Sequence, residues 1–357
     1  MTTLTVPARQ QPGSGPPPVP WRRMAWVTWR QHRAALTGTV IFLGALAVCL
    51  WIAGLQLHHA WAAAVGCRPA SSIACGQLSY HFNGMNAFLA NGYVLQAVPV
   101  LIGVFTGAPV LARELETGTF RYAWTQGFGR WRWTLAKLVP LAIAVTALAG
   151  AFSVLLAWYY QPYLASSNQA LGLNQASPLS SGLFDLRGVA FAGWTLASFA
   201  IGGLAGMLIR KVVPALVATL VVYAGLAFTV SQYLRQHYLA PLVARNFFNP
   251  PGSAFIVSQW WTHGSRFAFA GDRSAGGMPP MNLMGRFCPP SALGGGPGKP
   301  SLQSVVLCFS RHGYQWWTSY QPASRFWVFQ WIEGGWLLAL SVLLIGASVW
   351  LVRRRGA

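Results

Sequence analysis

One short segment of this chain is rich in arginine and tryptophan, carries two carboxylates near its start and ends in a lysine. The segment reads RELETGTFRYAWTQGFGRWRWTLAK, from Arg113 to Lys137, and contains Glu114 and Glu116. The chain has 357 residues, with five Asp and Glu against 25 Lys and Arg. Scarce carboxylates placed among cationic and aromatic side chains can form ion pairs or present a recognition surface. This segment is therefore the first candidate functional site.

The middle of the segment predicts a short helix. Thr119 is a suitable N-cap and Gly127 a suitable terminator, which places Phe120 and Trp124 on one face. Gly118 permits a sharp turn before that helix. Aromatic and arginine side chains grouped in this way dominate many protein–protein contacts. The alternative is a solvated loop whose acids only balance its arginines, and composition alone favours that alternative.

The composition indicates an integral membrane protein. Hydrophobic residues make up 54% of the chain and charged residues 8%, whereas soluble domains carry about 25% charged residues. The formal charge is +20, but the basic residues stand mostly at the ends of apolar runs. That placement is typical of topology signals rather than of nucleic-acid binding. We therefore predict an all-α membrane protein in contact with the lipid bilayer and with no nucleic acid partner.

Six apolar runs are long enough to cross a bilayer, which takes about 20 residues. They are Ala34–Leu57, Ala87–Ala112, Thr134–Tyr160, Val189–Ile209, Val212–Tyr233 and Phe326–Val352. Pro99 and Pro109 lie in the second run, and Pro140 lies near the start of the third. Prolines in membrane bundles kink helices without abolishing them. The sequence thus predicts six transmembrane helices.

The basic residues also predict orientation. Clusters of Arg and Lys precede span one, separate spans two and three, form the Arg210–Lys211 turn and follow span six. Such clusters mark the cytoplasmic side, so both termini are expected in the cytoplasm and the protein in the cell membrane. The predicted divisions are a disordered tail (1–20), an interfacial amphipathic elbow helix (21–33), spans one to five (34–233) with a cytoplasmic loop (113–133), a large extracellular loop (234–325), and span six with a basic end (326–357). Plain topological anchoring is the alternative for residues 21–33.

Four cysteines fall on the predicted outer side. Cys67 and Cys75 share one outer loop, and Cys288 and Cys308 share another. Disulfides persist outside the cell, and closing a short loop has the lowest entropic cost, so pairing within each loop is favoured. Zinc ligation is the alternative, although the spacings do not match the usual motifs; no metal site is predicted. Aromatic residues of the last outer loop predict either a disulfide-linked cap or a belt at the membrane interface.

Glu333 is the only acid within the predicted spans, near the outer end of the last one. A single peripheral carboxylate is poor material for a proton relay. We expect it to form a structural pair with Arg325 or with a neighbouring span, the alternative being a substrate contact. A membrane-embedded enzyme would need a nucleophile and base, or a metal site, at one depth. The intramembrane Ser and Thr residues have no His or Asp beside them, so no catalytic residue is predicted.

The opening segment resembles the first cytoplasmic loop of type-2 ABC exporter permeases. In that family an (R)E-x-E-x-G-T pattern precedes a short coupling helix, and a lysine opens the next span. TGTFRYAWTQG, and YQPASRFWVFQWIEGG at Tyr320–Gly335, are similar to the actinobacterial branch in particular. The order of features from about Trp21 onwards resembles the family as well.

This resemblance implies a permease subunit that is not itself an enzyme. Two such chains would enclose the pathway, as a homodimer or heterodimer, and the 113–133 loop would dock a separate ATPase. ATP and Mg would bind to that partner, and this chain would bind no cofactor. The cargo would be amphipathic or hydrophobic and would leave the cell. A non-transporting immunity or sensor subunit is the alternative. The implied coupling contacts are Glu114, Glu116, Gly118, Thr119, Phe120, Arg121, Trp124, Gln126 and Gly127.

Overall fold

A computed structural model describes residues 20–69, 72–84, 94–118, 129–165, 177–246, 253–271, 277–288 and 302–354. Within these residues, six helices are long and apolar enough to cross a membrane. In chain order, these spans one to six are Met24–Gly66, Ala97–Thr117, Arg130–Tyr159, Gly188–Ile209, Val212–His237 and Ala323–Arg354. The predicted multi-pass helical architecture is confirmed.

Span one belongs to a single uninterrupted helix, Trp21–Gly66. The predicted elbow at residues 21–33 is therefore not a separate helix, because no proline or glycine interrupts the chain before Gly38. The Thr28 hydroxyl donates to the Ala136 carbonyl at 3.0 Å, which joins this first part of the helix to the start of span three. An interfacial position for it stays a prediction.

Span two changes its helical geometry midway. It consists of Ala97–Ile102, a π-helical turn at Gly103–Gly107, and Ala108–Thr117. A π turn relieves a mismatch in the hydrogen-bond ladder by adding a residue to one turn, and this one lies between the two prolines expected to kink the helix. Gly118 ends the helix with a φ of 73°, as the sequence predicts. Glu114 and Glu116 thus lie within the last helical turns, and the predicted start at Ala87 falls outside the described residues.

Span four is the centre of the bundle and contacts spans two, three, five and six. A Cβ added at Gly202 would meet the Ala108 nitrogen, and one at Gly206 would meet the Ala108 carbonyl. Small residues allow membrane helices to approach this closely. Spans two and four therefore pack backbone against backbone.

Span five extends further than the sequence predicts. The helix Val212–Thr229 continues as a π-helical turn, Val230–Leu234, and a 3-10 turn, Arg235–His237. The remaining helices are Ile73–Gly84, Arg130–Tyr159, Gln161–Ala165, Gly188–Ile209 and Phe326–Arg354, the last preceded by a 3-10 turn at Ala323–Arg325. The extension carries Arg235 into the bundle, where it is 3% exposed.

The segment between spans five and six contains a β-sheet, so the predicted all-α class is wrong for this part. Four antiparallel strands lie in the order β1-β4-β2-β3. Their bounds are Leu242–Arg245 (β1), Phe255–His263 (β2), Arg266–Ala270 (β3) and Tyr314–Gln321 (β4). Aromatic and hydroxyl side chains favour strands, and a tight turn at Gly264, with φ 59°, joins β2 to β3.

This sheet and two short helices, Met281–Phe287 and Leu302–Arg311, form a cap with its own core. Trp261, Phe309 and Trp316 are buried together there, so these tryptophans form a packed cap rather than an interfacial belt. The Cys288–Cys308 disulfide lies in the same cluster. The Cys67–Cys75 disulfide is also present. Both within-loop pairings match the prediction, and neither pair is free to bind zinc.

Candidate functional sites

The first site lies where the segment 113–133 leaves the helical bundle. Glu114, near the end of span two, forms an ion pair with Lys137 in span three. Lys137 is only 4% exposed, and its ammonium also lies 4.6 Å from the centroid of the Trp133 ring. A buried ammonium needs a charged or aromatic partner, since desolvation is otherwise costly. The Glu114 carboxylate therefore stabilises Lys137 and fixes span two against span three.

Glu116 fixes the same end of span two to a different helix. One of its carboxylate oxygens accepts a hydrogen bond from the Val212 backbone N–H at 3.0 Å. Val212 is the first helical residue of span five, where backbone N–H groups lack intrahelical partners and the helix dipole favours negative charge. Glu116 thus acts as an N-terminal cap supplied from outside the helix.

The sequence predicted that Glu114 and Glu116 contact a partner protein, whereas in the structure both acids have contacts within the chain. The two readings are compatible for Glu116, because that residue is exposed. Gly118 has the left-handed conformation that ends span two. The other coupling candidates lie outside the described residues; they are Thr119, Phe120, Arg121, Trp124, Gln126 and Gly127.

The second site is a buried charge cluster at the other end of the bundle, next to the cap. The predicted pair of Arg325 with Glu333 is wrong. Glu333 instead pairs with Arg235, whose Nε and Nη2 lie 3.1 and 2.9 Å from its two oxygens. Arg325 donates to the Ala240 carbonyl and to Gln321. The extension of span five explains the difference, because it brings Arg235 to the buried carboxylate. Pairing with a neighbouring span, the other possibility drawn from the sequence, is confirmed.

A second carboxylate joins this cluster. Asp185, which lies shortly before span four, also forms an ion pair with Arg235. The Trp194 indole donates to Glu333 at 2.8 Å and to Asp185 at 3.2 Å. The Tyr238 hydroxyl donates to the second oxygen of Glu333 at 3.1 Å. Glu333 therefore accepts hydrogen bonds from three side chains and is completely buried.

Burial dominates the electrostatics of Asp185. Removal from water raises the pKa of the Asp185 carboxyl; the nearby Arg235 guanidinium acts against this rise, and the Glu333 charge adds to it. Asp185 and Glu333 share one guanidinium, so once Glu333 is ionised, Asp185 holds its proton more strongly than an isolated acid would. Asp185 is thus the member of the cluster best suited to exchange a proton or meet a cation.

A pocket of about 140 Å³ adjoins the cluster. Its lining comes from span two, the segment before span four, span four and span five; the residues are Gln96, Pro99, Asp185, Trp194, Tyr223 and Ala227. Sequence reasoning missed Asp185 and Arg235 because both lie outside the predicted spans. Asp185 could have been singled out from the sequence because it is one of five acids and lies three residues before the start of a helix.

Six apolar helices around buried ion pairs define a multi-pass membrane protein. A model of the family described as "ABC-2 membrane transporter related" matches residues 40–235. This match covers more than half of the chain, and the chain belongs to that family. The family supports an ABC-type membrane permease, the transport component of such a system. Neither a curated protein nor a solved structure matches the chain.

Proposed function

We propose that this chain is the transmembrane subunit of an ATP-driven exporter and docks a separate ATPase through the loop at residues 113–133. The family supports a permease role. The observation that carries the docking proposal is the pair of contacts at the base of the loop, Glu114 with Lys137 and Glu116 with Val212. They connect the end of one span to the starts of two others.

These contacts suggest how a force on the loop would reach the pathway. ATP and Mg bind to the partner, whose closure displaces the docked loop. Because Glu114 joins spans two and three and Glu116 joins spans two and five, the three helices move together. Such rigid-body motion switches a pathway between inward and outward access. This chain binds no cofactor in the cycle.

The docking surface itself comprises the exposed Glu116 and the residues that follow it. Phe120, Arg121 and Trp124 supply the aromatic and cationic contacts, with Thr119 and Gly127 as the ends of the coupling helix. Glu114 acts through Lys137 rather than by touching the ATPase. The similarity of TGTFRYAWTQG to the actinobacterial branch supports the contact roles of the residues from Thr119 to Gly127.

The complete transporter contains two permease chains and lies in the cell membrane with the basic span ends in the cytoplasm. The pathway forms between the two chains, which are either identical or related. Its cargo is amphipathic or hydrophobic and moves outwards. These statements rest on family resemblance and on the distribution of Lys and Arg.

The proposal is tested by co-purification and by ATPase activity. The chain is tagged and extracted gently from its native membranes, and a soluble ATPase is sought in the purified complex. We expect the Trp124→Ala variant to lose most of the bound ATPase and of its stimulation. Trp327→Ala is the matched control, because that exposed tryptophan lies at the start of span six, away from the loop.

Two outcomes would contradict the proposal. One is a folded wild-type chain that co-purifies with no ATPase. The other is equal loss of the ATPase in Trp124→Ala and Trp327→Ala, which would indicate general destabilisation rather than docking. An ATPase that binds but drives no export of any tested amphiphile would support the sensor or immunity alternative.

A further inference from the structure

The pocket beside the charge cluster is small and polar at one wall. At about 140 Å³ it falls well below the roughly 300–1,000 Å³ of pockets that enclose drug-sized ligands. Only a small group, or the head of a longer molecule, fits it. Asp185, Tyr223 and Gln96 bring polar atoms to the lining, while Trp194 and Pro99 supply apolar surface.

When Asp185 and Glu333 are both ionised, the wall of this pocket carries more negative than positive charge. Asp185 and Glu333 share the single guanidinium of Arg235. Arg187 is not the partner of these acids, because its guanidinium lies over the Phe326 ring at 4.6 Å and burial, not a neighbouring carboxylate, shifts its pKa. Buried charges are stable only when paired, so a positive partner is expected.

The hydrogen bonds show where that partner would bind. Asp185 accepts its bonds from Trp194 and Arg235 on Oδ1. Its carboxyl also interacts with that of Glu333, but no described N–H or O–H group donates to Oδ2. Tyr223 is 8% exposed and lines the pocket, yet its hydroxyl has no hydrogen bond to the described residues. A hydroxyl that lines a pocket can donate to or accept from a bound group. An N–H donor placed between the two groups would satisfy both.

The aromatic lining favours the same kind of ligand. Trp194 and Tyr223 pack edge to face, with ring centroids 5.4 Å apart, and both border the pocket. Aromatic rings attract cations, most strongly where water is excluded. No group of three or more His, Cys, Asp and Glu side chains that could hold a metal occurs among the described residues. An organic cation therefore fits the lining better than a metal ion.

We propose that this pocket binds a primary ammonium group, with the Asp185 carboxylate as its counter-ion and the Tyr223 hydroxyl as a second acceptor. The group belongs either to an amphiphilic amine or to the headgroup of an aminophospholipid. The site rests on contacts within the cap end of the bundle and does not depend on the docking of an ATPase.

Proton binding competes with this cation. Burial raises the pKa of Asp185, and the charged or titratable groups facing it are Arg235, Glu333, Tyr223 and Tyr238. As pH falls through the pKa of Asp185, the carboxyl becomes neutral and the ammonium loses its counter-ion. Ammonium affinity should therefore be highest in alkaline solution and decline on acidification.

The test uses the purified full chain in a detergent free of aminophospholipid, with methylammonium chloride as the probe. Binding to the folded state raises Tm in a saturable way. We expect Asp185→Asn to weaken the apparent affinity at least tenfold and Tyr223→Phe to weaken it severalfold. Tyr233→Phe is the matched control, since it makes the same chemical change as Tyr223→Phe at a tyrosine that is 61% exposed and does not line the pocket.

Several outcomes would overturn the proposal. One is a Tm shift with sodium, or with tetramethylammonium, which lacks N–H donors, that equals the shift with methylammonium. Another is unchanged affinity for methylammonium in Asp185→Asn. Should Asp185→Asn not fold, Tyr223→Phe keeps the carboxylate and decides the question by retaining or losing affinity. Comparing protein reconstituted in phosphatidylethanolamine with protein reconstituted in phosphatidylcholine then separates the two sources of the ammonium group. A methylammonium response abolished only by phosphatidylethanolamine identifies the lipid headgroup, and a response retained in both identifies a free amine.

Discussion

Four acids contact a positive group or a helix N-terminus within the same chain; they are Glu114, Glu116, Asp185 and Glu333. A carboxylate near or within a membrane is costly unless it is paired, which explains why so few occur and why each has a partner. At the residue scale, the chemistry of this chain is therefore concentrated at the two ends of its bundle.

Loss of the Arg235 charge should destabilise the protein strongly, because it leaves Asp185 and Glu333 without their counter-ion. Removing one partner of a buried ion pair costs about 3–5 kcal/mol when the other charge stays buried. We expect Arg235→Gln to lower the Tm in detergent, measured by heating followed by size-exclusion chromatography. The double variant Glu333→Gln, Arg235→Gln should recover part of the loss, since only one of the two carboxylates then remains. Equal stability of Arg235→Gln and wild type would contradict the pairing.

The role of Glu114 can be separated from that of a docking residue. Glu114→Gln leaves the Lys137 ammonium without its carboxylate, which should cost roughly 1–3 kcal/mol and reduce ATPase binding indirectly. Lys137→Met in the same chain removes the buried charge and should restore both stability and binding. If Glu114 instead touches the ATPase, restored stability will not be accompanied by restored binding.

At the scale of elements, the close packing of spans two and four holds the bundle together. Gly206 contacts the backbone of Ala108 and Ala112, whereas Gly225 in span five has no atom within reach of an added Cβ. We expect Gly206→Val to force the two spans apart and abolish monodisperse protein. Gly225→Val is the control and should behave as wild type in fluorescence-detected size-exclusion chromatography. Normal behaviour of Gly206→Val would contradict the contact.

The sequence predicted the helices better than their irregularities. Apolar length alone identifies a span, and the predicted spans three to six overlap the observed ones closely, whereas the observed span one is much longer than predicted. The π-helical turns at Gly103–Gly107 and Val230–Leu234 depend on packing against other spans, which no local pattern reports. The strands β2 and β4 are rich in tryptophan. Next to a membrane span, such residues suit an interfacial belt as well as a sheet, so the cap was left undecided.

For the molecule as a whole, span five connects the two candidate sites. It begins at Val212 against Glu116, carries Tyr223 into the pocket, and ends with Arg235 in the charge cluster. At 26 residues and 1.5 Å per residue it is about 39 Å long. The acids of the first site could be singled out because they adjoin in sequence, but their contacts with Lys137 and Val212 were not predicted. The second site was not predictable, since it joins residues as distant as Asp185 and Glu333.

The orientation of the whole molecule gives the last prediction. Basic clusters at span ends place Lys211 inside the cell and the cap outside. In a Cys49→Ser background, Met281→Cys replaces a cap residue that is 86% exposed, and Lys211→Cys places a thiol in the exposed turn between spans four and five. A membrane-impermeant maleimide applied to intact cells should label Met281→Cys at once and Lys211→Cys only after permeabilisation. The reverse pattern would place the 113–133 loop outside, where no cytoplasmic ATPase can reach it, and the docking proposal would fail with the topology.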